Sequence, residues 1–285
     1  SGATCAKSGW QPFHLIIKDN QKKLCAAMVL FIKAHSYGEY VFDWSWADAY
    51  QQNGLNYYPK LINAIPFTPA TGPRFVAISA ESNTALFTAL QQQMQAYDFS
   101  GFHSLFPSKL HNAALNSPNL TPTFKQRLGC QFHWFNNGYT NFDDFLSRFS
   151  SRKRKNIKKE RAKITEHNVH ITSTVGTELN NDDWQEFYGL YKRTYLKRSG
   201  HSGYLNSQCF QLIGQALPKN TLLVRAYSKE ATTASKETKT ETQEACKPLA
   251  AALYFYDSQT LYGRYWGATC ELDGLHFECC YYRGI

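Results

Sequence analysis

Three apolar segments near the start of the chain have the pattern of β-strands. Residues 14–19 and 23–34 are rich in aliphatic side chains and flank a short polar turn at Asp19, which predicts a hairpin. Residues 38–44 follow with an alternation that predicts a third strand. Because alternate side chains of an extended chain point to opposite faces, this strand would have one polar and one aromatic face.

Two helices and further strands are predicted next. Residues 57–65 have apolar side chains at helical spacing and stop before Pro66, and residues 84–97 repeat apolar side chains every three or four positions. Three further strands are predicted in this half, within residues 66–79, 102–107 and 129–136. The first of these segments begins with turns. The predicted order is β-β-β-α-β-α-β-β.

The second half predicts the order α-β-α-α-β-β-β-α. It begins with residues 142–163, one helix or a broken pair that is apolar at first and then basic. The last helix begins near Leu275. Both halves contain three strands followed by a helix, a repeat of element order without visible sequence identity. The segments between the first and last helices are a strand at 168–175, helices at 182–197 and 209–216, and strands at 221–228, 248–257 and 260–269.

One long insert interrupts the strands of the second half. Residues 228–247 consist of Thr, Lys and Glu with almost no apolar side chain. Such a segment cannot bury enough surface to offset the entropy of ordering it, so we predict a flexible loop.

Charge is concentrated in one segment. The chain carries a formal net charge of +9, and residues 148–163 contain nine basic side chains and one acidic side chain. A solvated helix face is one interpretation. The other is an anion-binding surface formed by Arg152, Arg154 and Lys158, because a local excess of cations attracts nucleic acid or phosphate-bearing molecules.

Composition limits the cellular context. No run of eighteen apolar residues is present, so the sequence predicts no transmembrane helix. The eight cysteines lack CxxC pairs and the Cys/His spacing of zinc sites, which predicts buried reduced thiols and no metal. We therefore expect a cytoplasmic protein, which could also lie at the inner face of the membrane.

The element order resembles the GCN5-related N-acetyltransferase fold, in which a helix follows the fourth strand. Residues 145–171 resemble the opening of the second domain in the Fem family of aminoacyl transferases, which build peptidoglycan cross-bridges. The closer resemblance is to the FemAB-like group, and it is carried by residues 35–50, 54–74, 264–267 and 275–285.

This resemblance implies an α/β (α+β) fold of tandem GCN5-related N-acetyltransferase-like domains. Each domain would have a mixed, mostly antiparallel sheet flanked by helices. The first domain would span residues 1–140 and be incomplete at its N-terminus. The second would span residues 141–285 and be incomplete at its C-terminus, so we expect a fragment of a longer chain.

The candidate catalytic residues lie on the polar face of the predicted third strand. A carboxylate or imidazole of His35, Glu39 or Asp43 could remove the proton from an ammonium group before acyl transfer. The alternative is a polar face hydrogen-bonded to neighbouring loops. Tyr37, Trp44 and Trp46 are candidates for substrate binding, although the aromatic pattern of this segment favours core or a cleft wall over a surface for ring stacking.

Further candidates come from the positions that the resemblance assigns to ligands. No glycine-rich phosphate loop follows Trp44, so we expect donor binding in the second domain, at Arg264, Tyr265 and Trp266. His276 and Glu278, at the start of the last helix, would contact ligand, with Glu278 a fourth catalytic candidate. A capping or packing role is the alternative for both. Arg74 is a further substrate-binding candidate.

The resemblance implies an acyl or aminoacyl transferase that acts on an amine of a cell-wall-related acceptor. No cofactor is firmly implied, and the donor would be an acyl-CoA or an aminoacyl-tRNA. The anionic partner at residues 148–163 would be tRNA or a nucleotide- or lipid-linked muropeptide. The alternative is a non-catalytic module that recognises peptidoglycan precursors or RNA. No Ser-His-Asp or Cys-His pattern is recognisable, which favours direct transfer.

Overall fold

The computed structural model describes residues 1–117, 123–229 and 247–285. The chain divides into an N-terminal unit, Gly2–Gln131, and a C-terminal unit, Phe132–Ile285, to which Ser1 also belongs. Both units combine helices with sheets in which nearly all strand pairs are antiparallel. The predicted fold class, α/β with mixed, mostly antiparallel sheets flanked by helices, is confirmed. Of the loop predicted at residues 228–247, residues 230–246 lie outside the described residues.

The N-terminal unit contains two small sheets. One has the order β1-β4-β5-β7, with β5 and β7 parallel, and the other has the order β2-β3-β6. The strands are β1 (Gln11–Pro12), β2 (Leu15–Lys18), β3 (Leu24–Met28), β4 (Phe31–Lys33), β5 (Lys60–Asn63), β6 (Phe75–Ala77) and β7 (Phe102–Ser104). The helices are α1 (Trp44–Gln52), α2 (Ala80–Ala96) and α3 (Lys109–Leu115).

Helix α2 covers the smaller sheet and closes the core of this unit. Ser79 caps its first turn by accepting a hydrogen bond from the backbone N–H of Ser82. The apolar repeat then places Leu86 and Leu90 against Met28 of β3. The helix predicted at residues 84–97 is confirmed, with its start one turn earlier.

Two sequence predictions in this unit are wrong. Residues 38–44 form no strand, because Gly38 and Tyr40 have φ values of 80° and 58°, in the left-handed region that a strand cannot contain. Residues 57–65 form no helix but contain β5, whose four residues are all buried between β4 and β7. A short, fully buried strand has no alternation that would separate it from a helix.

Two further strand predictions need correction. Residues 23–34 form two strands in different sheets, because the backbone of Leu30 hydrogen-bonds to Phe13 and His14 between them. Residues 129–136 pair with no described strand and are exposed. Three strands followed by a helix do occur in this unit, as β2, β3, β4 and α1, but they do not share one sheet.

The C-terminal unit follows the predicted order of elements throughout. Its sheet has the order β11-β10-β9-β8 and is antiparallel at every pair. The strands are β8 (Val169–Val175), β9 (Thr221–Ser228), β10 (Ala250–Tyr256) and β11 (Leu261–Ala268). The helices are α4 (Phe142–Ser147), α5 (Ser151–Glu166), α6 (Asn181–Ser199), α7 (Ser207–Ala216) and α8 (Leu275–Phe277), the last continued by a π-helical turn at Glu278–Tyr282.

Helix α6 lies directly on β11, and Gly267 makes this approach possible. A Cβ atom on Gly267 would lie 2.2 Å from the carbonyl carbon of Leu190, which is helix backbone that cannot move alone. Gly263, on the same strand, has room, because its added Cβ would meet a Tyr254 ring carbon at 3.6 Å.

We expect Gly267→Ala to lower the free energy of unfolding by about 1–3 kcal/mol, because helix and strand must separate to admit the methyl group. Gly263→Ala is the matched control and should change it by about 0.5 kcal/mol or less. Urea unfolding of both variants measures the difference. Equal midpoints for the two variants would show that α6 does not depend on this close approach.

Candidate functional site

A buried lysine organises the polar residues of the segment 35–43. Lys60, the first residue of β5, donates hydrogen bonds from Nζ to Ser36 Oγ at 2.8 Å, Glu39 Oε2 at 3.1 Å and Asp43 Oδ2 at 2.6 Å. The Tyr57 hydroxyl also donates to Asp43 Oδ2, at 2.7 Å. These five residues form what we call the Lys60 cluster.

The backbone of the loop brings the two carboxylates inward. Gly38 is pressed against the core, so that an added Cβ would lie 2.6 Å from the ring of Phe67. The left-handed turns at Gly38 and Tyr40 then direct Glu39 and Asp43 toward Lys60, and both side chains are fully buried. The two carboxylates are therefore paired as the sequence predicts but for a different reason, since a bent loop and not a strand face unites them.

The two carboxyl groups of the cluster differ in acidity. Burial raises the pKa of Glu39 to about 7, although the charge and hydrogen bond of Lys60 oppose this shift. Burial also acts to raise the pKa of Asp43, but hydrogen bonds, those of Lys60 and Tyr57 among them, outweigh it and lower the pKa below its ordinary value. Asp43 is thus the ionised partner of Lys60, while Glu39 can gain or lose a proton near neutral pH.

A chain of hydrogen bonds leads from Glu39 to a hydroxyl that is only half-buried. Lys60 Nζ joins Glu39 to Ser36 Oγ, and Ser36 Oγ lies 2.8 Å from the Tyr58 hydroxyl. Glu39 Oε1 has no hydrogen-bond partner among the described residues, whereas Oε2, which accepts from Lys60, is the oxygen that a proton carried through Lys60 would reach. The arrangement is able to carry a proton from Tyr58 to a buried carboxylate.

His35 lies outside this cluster. Its Nδ1 accepts a hydrogen bond from the backbone N–H of Tyr37, and the two rings are 5.2 Å apart. Burial lowers the pKa of His35, followed by the charge of Lys33. The histidine near the carboxylates is His103, whose Nδ1 is 4.0 Å from Asp43 Oδ2 and whose pKa burial lowers to about 4.

The predicted aromatic residues lie on the surface of this loop and of helix α1, which follows it. Tyr37 and Trp44 are exposed, with ring centroids 5.1 Å apart, and Trp46 is exposed with the Arg127 guanidinium 5.0 Å above its ring. They form no core, in contrast to that interpretation of the sequence.

Arg74 links neighbouring loops through hydrogen bonds to their backbone. Its guanidinium is buried and donates to the backbone carbonyls of Leu105, Pro73 and Ala70. These bonds engage all three guanidinium nitrogens and use three of the five N–H donors.

Helix α5 displays the basic segment. Lys158 pairs with Asp143 at 2.8 Å, Arg161 with Glu278, and Lys163 with Asp273. Five cations form no ion pair with any described residue, namely Arg152, Lys153, Arg154, Lys155 and Lys159. This surface therefore retains unneutralised positive charge.

We expect the triple change of Arg152, Arg154 and Lys158 to alanine to weaken binding of a polyanion and to flatten its salt dependence. Each phosphate that the variant no longer neutralises should reduce the slope of log K against log salt by about 0.7–0.9. The matched control changes the exposed Lys18, Lys22 and Lys23 to alanine, which removes equal charge elsewhere. Fluorescence anisotropy with a labelled tRNA over a salt series provides the measurement, and identical slopes for both triples would contradict a local anion site.

Glu278 is held by cations in the C-terminal unit. Arg161 donates two hydrogen bonds of 2.8 Å to its carboxylate, and Arg283 Nε lies 3.3 Å from Oε1. These side chains, with Lys158 and His170, line a cavity of about 610 Å³ beside the edge strand β8. The carboxylate therefore orients Arg161 and Arg283 at this cavity.

The predicted donor-binding residues lie around a second cavity in this unit. The register between β10 and β11 shifts at Arg264, which forms a β-bulge. Arg264, Tyr265, Trp266 and His276 line a cavity of about 170 Å³, and the rings of Trp266 and His276 are 5.2 Å apart.

Sequence reasoning missed Lys60, Tyr57, Ser36, Tyr58 and His103. A usable signal was present, because Lys60 opens a short apolar run and follows two tyrosines and a proline. A lysine that is carried into a buried strand needs carboxylate partners, and Glu39 and Asp43 are two of the three acidic residues in the preceding segment, residues 35–59.

The described residues contain neither a group of side chains arranged for a metal ion nor a helix suited to span a membrane. Within residues 1–117, 123–229 and 247–285, no three His, Cys, Asp or Glu side chains are grouped to hold a metal ion. In the same ranges, no helix has the length and apolar character needed to cross a membrane.

The fold places the chain in the mixed α/β class of proteins. Comparison with known proteins gives the family. A family described as FemAB-like, peptidoglycan biosynthesis/recognition, matches residues 1–285, so the chain belongs to this family. The resemblance inferred from the sequence is thus confirmed. A crystal structure of FemX is similar over 93% of this chain and 73% of that chain, with 13% sequence identity and a TM-score of 0.41. No curated protein matches the chain.

Proposed function

We propose that this chain transfers an acyl or aminoacyl group to an amine of a cell-wall-related acceptor. The family supports a role in peptidoglycan chemistry. The observation that carries the proposal is the hydrogen-bond chain from Tyr58 through Ser36 and Lys60 to Glu39, a carboxyl group whose pKa is about 7.

Acyl transfer to an amine requires loss of a proton, because an ammonium group has no free electron pair. In the proposed step, the substrate ammonium gives a proton to the Tyr58 oxygen as the Tyr58 hydroxyl proton moves to Ser36. Lys60, which donates from Nζ to both Glu39 and Ser36, first transfers a proton to Glu39 Oε2. The electron pair that this frees on Nζ then turns toward Ser36 Oγ and takes the Ser36 proton. The neutral amine attacks the acyl carbonyl, and the leaving group departs with the electron pair of the broken bond.

Direct transfer fits the sequence, in which no Ser-His-Asp or Cys-His pattern is recognisable. Burial also raises the pKa of Cys279 to about 12 and raises that of Cys280, so these two sulfurs are poor nucleophiles at neutral pH. We therefore propose that the donor, an acyl-CoA or an aminoacyl-tRNA, reacts without a covalent enzyme intermediate.

The exposed cations of α5 would hold the anionic substrate. A tRNA donor or a nucleotide- or lipid-linked muropeptide has the phosphates that Arg152 and Arg154 could neutralise. Such molecules occur in the cytoplasm, so the chain would act there, and at the inner face of the membrane when the acceptor is lipid-linked.

A second candidate is a non-catalytic module that recognises peptidoglycan precursors or RNA. The five cations of α5 that pair with no described acidic residue favour it, because they can bind an anion without any chemistry.

One assay distinguishes the transferase from the binding module. Labelled aminoacyl-tRNA or acetyl-CoA is incubated with a nucleotide-linked muropeptide, and label on the muropeptide is measured together with its binding by calorimetry. Donor-dependent labelling is the expected result. Tight binding of the muropeptide without labelling by either donor would contradict the transferase and favour the binding module.

A further inference from the structure

One cavity of the C-terminal unit combines apolar and charged lining residues. It has a volume of about 610 Å³ and is lined by residues of α4, α5, the start of β8 and the π-helical turn. Buried Leu146, Ile164 and Val169 are among its apolar lining residues. Its lining contains two more basic than acidic side chains, and the charged members are Lys158, Arg161, Lys229, Arg283, Asp143 and Glu278. We call it the α5 cavity.

The charge around the α5 cavity has the same sign as the charge of its lining. Helix α5 carries eight basic side chains and two acidic ones, Glu160 and Glu166. Glu160 accepts a hydrogen bond from the Tyr282 hydroxyl at 2.6 Å, and Asp273, outside the cavity, pairs with Lys163. A concave site with an excess of positive charge attracts anions and repels cations, so an anionic ligand is favoured.

Arg161 is fixed by its neighbours and retains hydrogen-bond donors. Its Nε and Nη2 donate to the two carboxylate oxygens of Glu278, each at 2.8 Å, and its guanidinium lies 4.3 Å from the ring centroid of Phe142. Because a guanidinium has five N–H donors, three remain that have no hydrogen-bond partner among the described residues. A group that is fixed in advance loses little entropy when a ligand binds to it.

Arg283 brings a second guanidinium to the same carboxylate. Its Nε lies 3.3 Å from Glu278 Oε1, and its side chain is 41% exposed. One carboxylate cannot neutralise two guanidinium groups, so positive charge remains at the cavity. A planar guanidinium matches the geometry of a carboxylate or a phosphate, which it binds through paired hydrogen bonds. The remaining charge therefore suits an anion of one of these two kinds.

We propose that the α5 cavity binds an organic anion, a carboxylate or a phosphate monoester that carries an apolar body. Arg161 and Arg283 would hold the anionic group, and the body would lie against Leu146, Ile164 and Val169. The volume of the cavity is in the range of pockets that enclose small molecules. The inference goes beyond the proposed function and does not depend on it, because it requires only binding within the C-terminal unit.

The test titrates the chain by calorimetry with 4-phenylbutyrate, with its neutral counterpart 4-phenylbutan-1-ol and with its cationic counterpart 4-phenylbutylammonium. We expect 4-phenylbutyrate to bind about tenfold or more tightly than either counterpart. Acetate, which lacks the apolar body, should bind about tenfold or more weakly than 4-phenylbutyrate. No binding of 4-phenylbutyrate, or an equal affinity for the alcohol, the ammonium or acetate, would overturn the proposal.

A second anion distinguishes the two kinds of anionic group. The affinity of 4-phenylbutyl phosphate is compared with that of 4-phenylbutyrate, and the tighter of the two identifies the group that the arginines recognise. Inorganic phosphate is the control without an apolar body and should bind more weakly than 4-phenylbutyl phosphate. Equal affinities of these two phosphates would overturn the proposal, because the apolar lining would then contribute nothing.

Two variants locate the binding site and leave the ion pair between Arg161 and Glu278 intact. Arg283→Gln removes one guanidinium and should weaken 4-phenylbutyrate binding about tenfold. Ala162→Phe places a ring in the cavity from an exposed position of α5 and should abolish binding. Arg193→Gln is the matched control, because it removes an exposed arginine of α6 that does not line the cavity, and it should leave the affinity unchanged.

Thermal melts without ligand identify the variants that fold. Both changes are made at partly or fully exposed side chains, and either variant decides the question if the other fails to fold. An unchanged affinity for 4-phenylbutyrate in a folded Arg283→Gln or Ala162→Phe chain would overturn the proposal. A loss in Arg193→Gln as large as that in Arg283→Gln would overturn it as well, because the anion would then respond to the general positive charge and not to the α5 cavity.

Discussion

Replacing Lys60 by methionine is expected to lower the free energy of unfolding by about 3–5 kcal/mol at neutral pH. The substitution removes the cation that hydrogen-bonds both Glu39 and Asp43, and it leaves the ionised Asp43 carboxylate inside the N-terminal unit. Methionine fills nearly the same space, so a cavity contributes little to the effect. Chemical unfolding at pH 7 measures it.

Lys33 provides a matched control, because it is equally buried but has no carboxylate of a described residue within hydrogen-bond distance. Its Nζ donates to the Tyr37 carbonyl, and burial lowers its pKa to about 8. Lys33→Met should therefore cost much less than Lys60→Met. The destabilisation in Lys60→Met should also shrink as the pH falls and the carboxyl groups become protonated. Equal destabilisation in the two variants would show that the Lys60 cluster adds nothing to burial of the side chain.

Glu39→Gln should reduce the rate of acyl transfer by about 10²–10⁴-fold, the usual contribution of a general base. Glutamine keeps the shape of the side chain but cannot accept the proton that arrives through Lys60. Tyr58→Phe, which interrupts the same hydrogen-bond chain at its outer end, should also lower the rate. Glu81→Gln is the control, because Glu81 is an exposed carboxylate of the same unit, and it should leave the rate unchanged.

The same variant should change how stability depends on pH. The pKa of Glu39 is about 7 in the folded chain and is ordinarily 4.5, so the folded state binds more protons between these values. Stability contributed by this group is therefore lost as the pH rises from about 4.5 to about 7. Relative to the wild type, Glu39→Gln should become steadily more stable across this window, and thermal melts at several pH values would show a parallel course if Glu39 were not perturbed.

The sequence predicts the C-terminal unit well, because its elements are long. Helix α6 has an asparagine cap at Asn180, a glycine at Gly200 in the left-handed conformation, and an apolar stripe between them. Strands β9 to β11 have seven or eight residues each, enough for a strand pattern to be recognised.

Sequence patterns predict the N-terminal unit poorly for two reasons. Its strands are short, and residues 37–44 bury their polar side chains and expose their aromatic ones. Strands of two to five residues carry too little periodicity to identify. The alternation of residues 38–44 arises from polar side chains turned toward Lys60 and aromatic side chains turned to solvent, which a strand with a buried apolar face would reverse.

The sequence predicts only part of the candidate site. Glu39 and Asp43 could be paired from their spacing, but the buried lysine that joins them lies 17 and 21 residues away along the chain. Patterns of polarity assign lysine to the surface, so polarity alone places neither Lys60 nor Lys33 inside the unit.

The dependence of single-turnover acyl transfer on pH, measured between pH 5 and 9 for the wild type and for Glu39→Gln, tests the proposed transferase most directly. The wild-type rate should rise with a single ionisation near pH 7, the pKa of Glu39, and reach a plateau above it. The variant should transfer slowly at every pH and lack this ionisation. A variant that keeps both the wild-type rate and the wild-type profile would contradict the assignment of Glu39 as the proton acceptor.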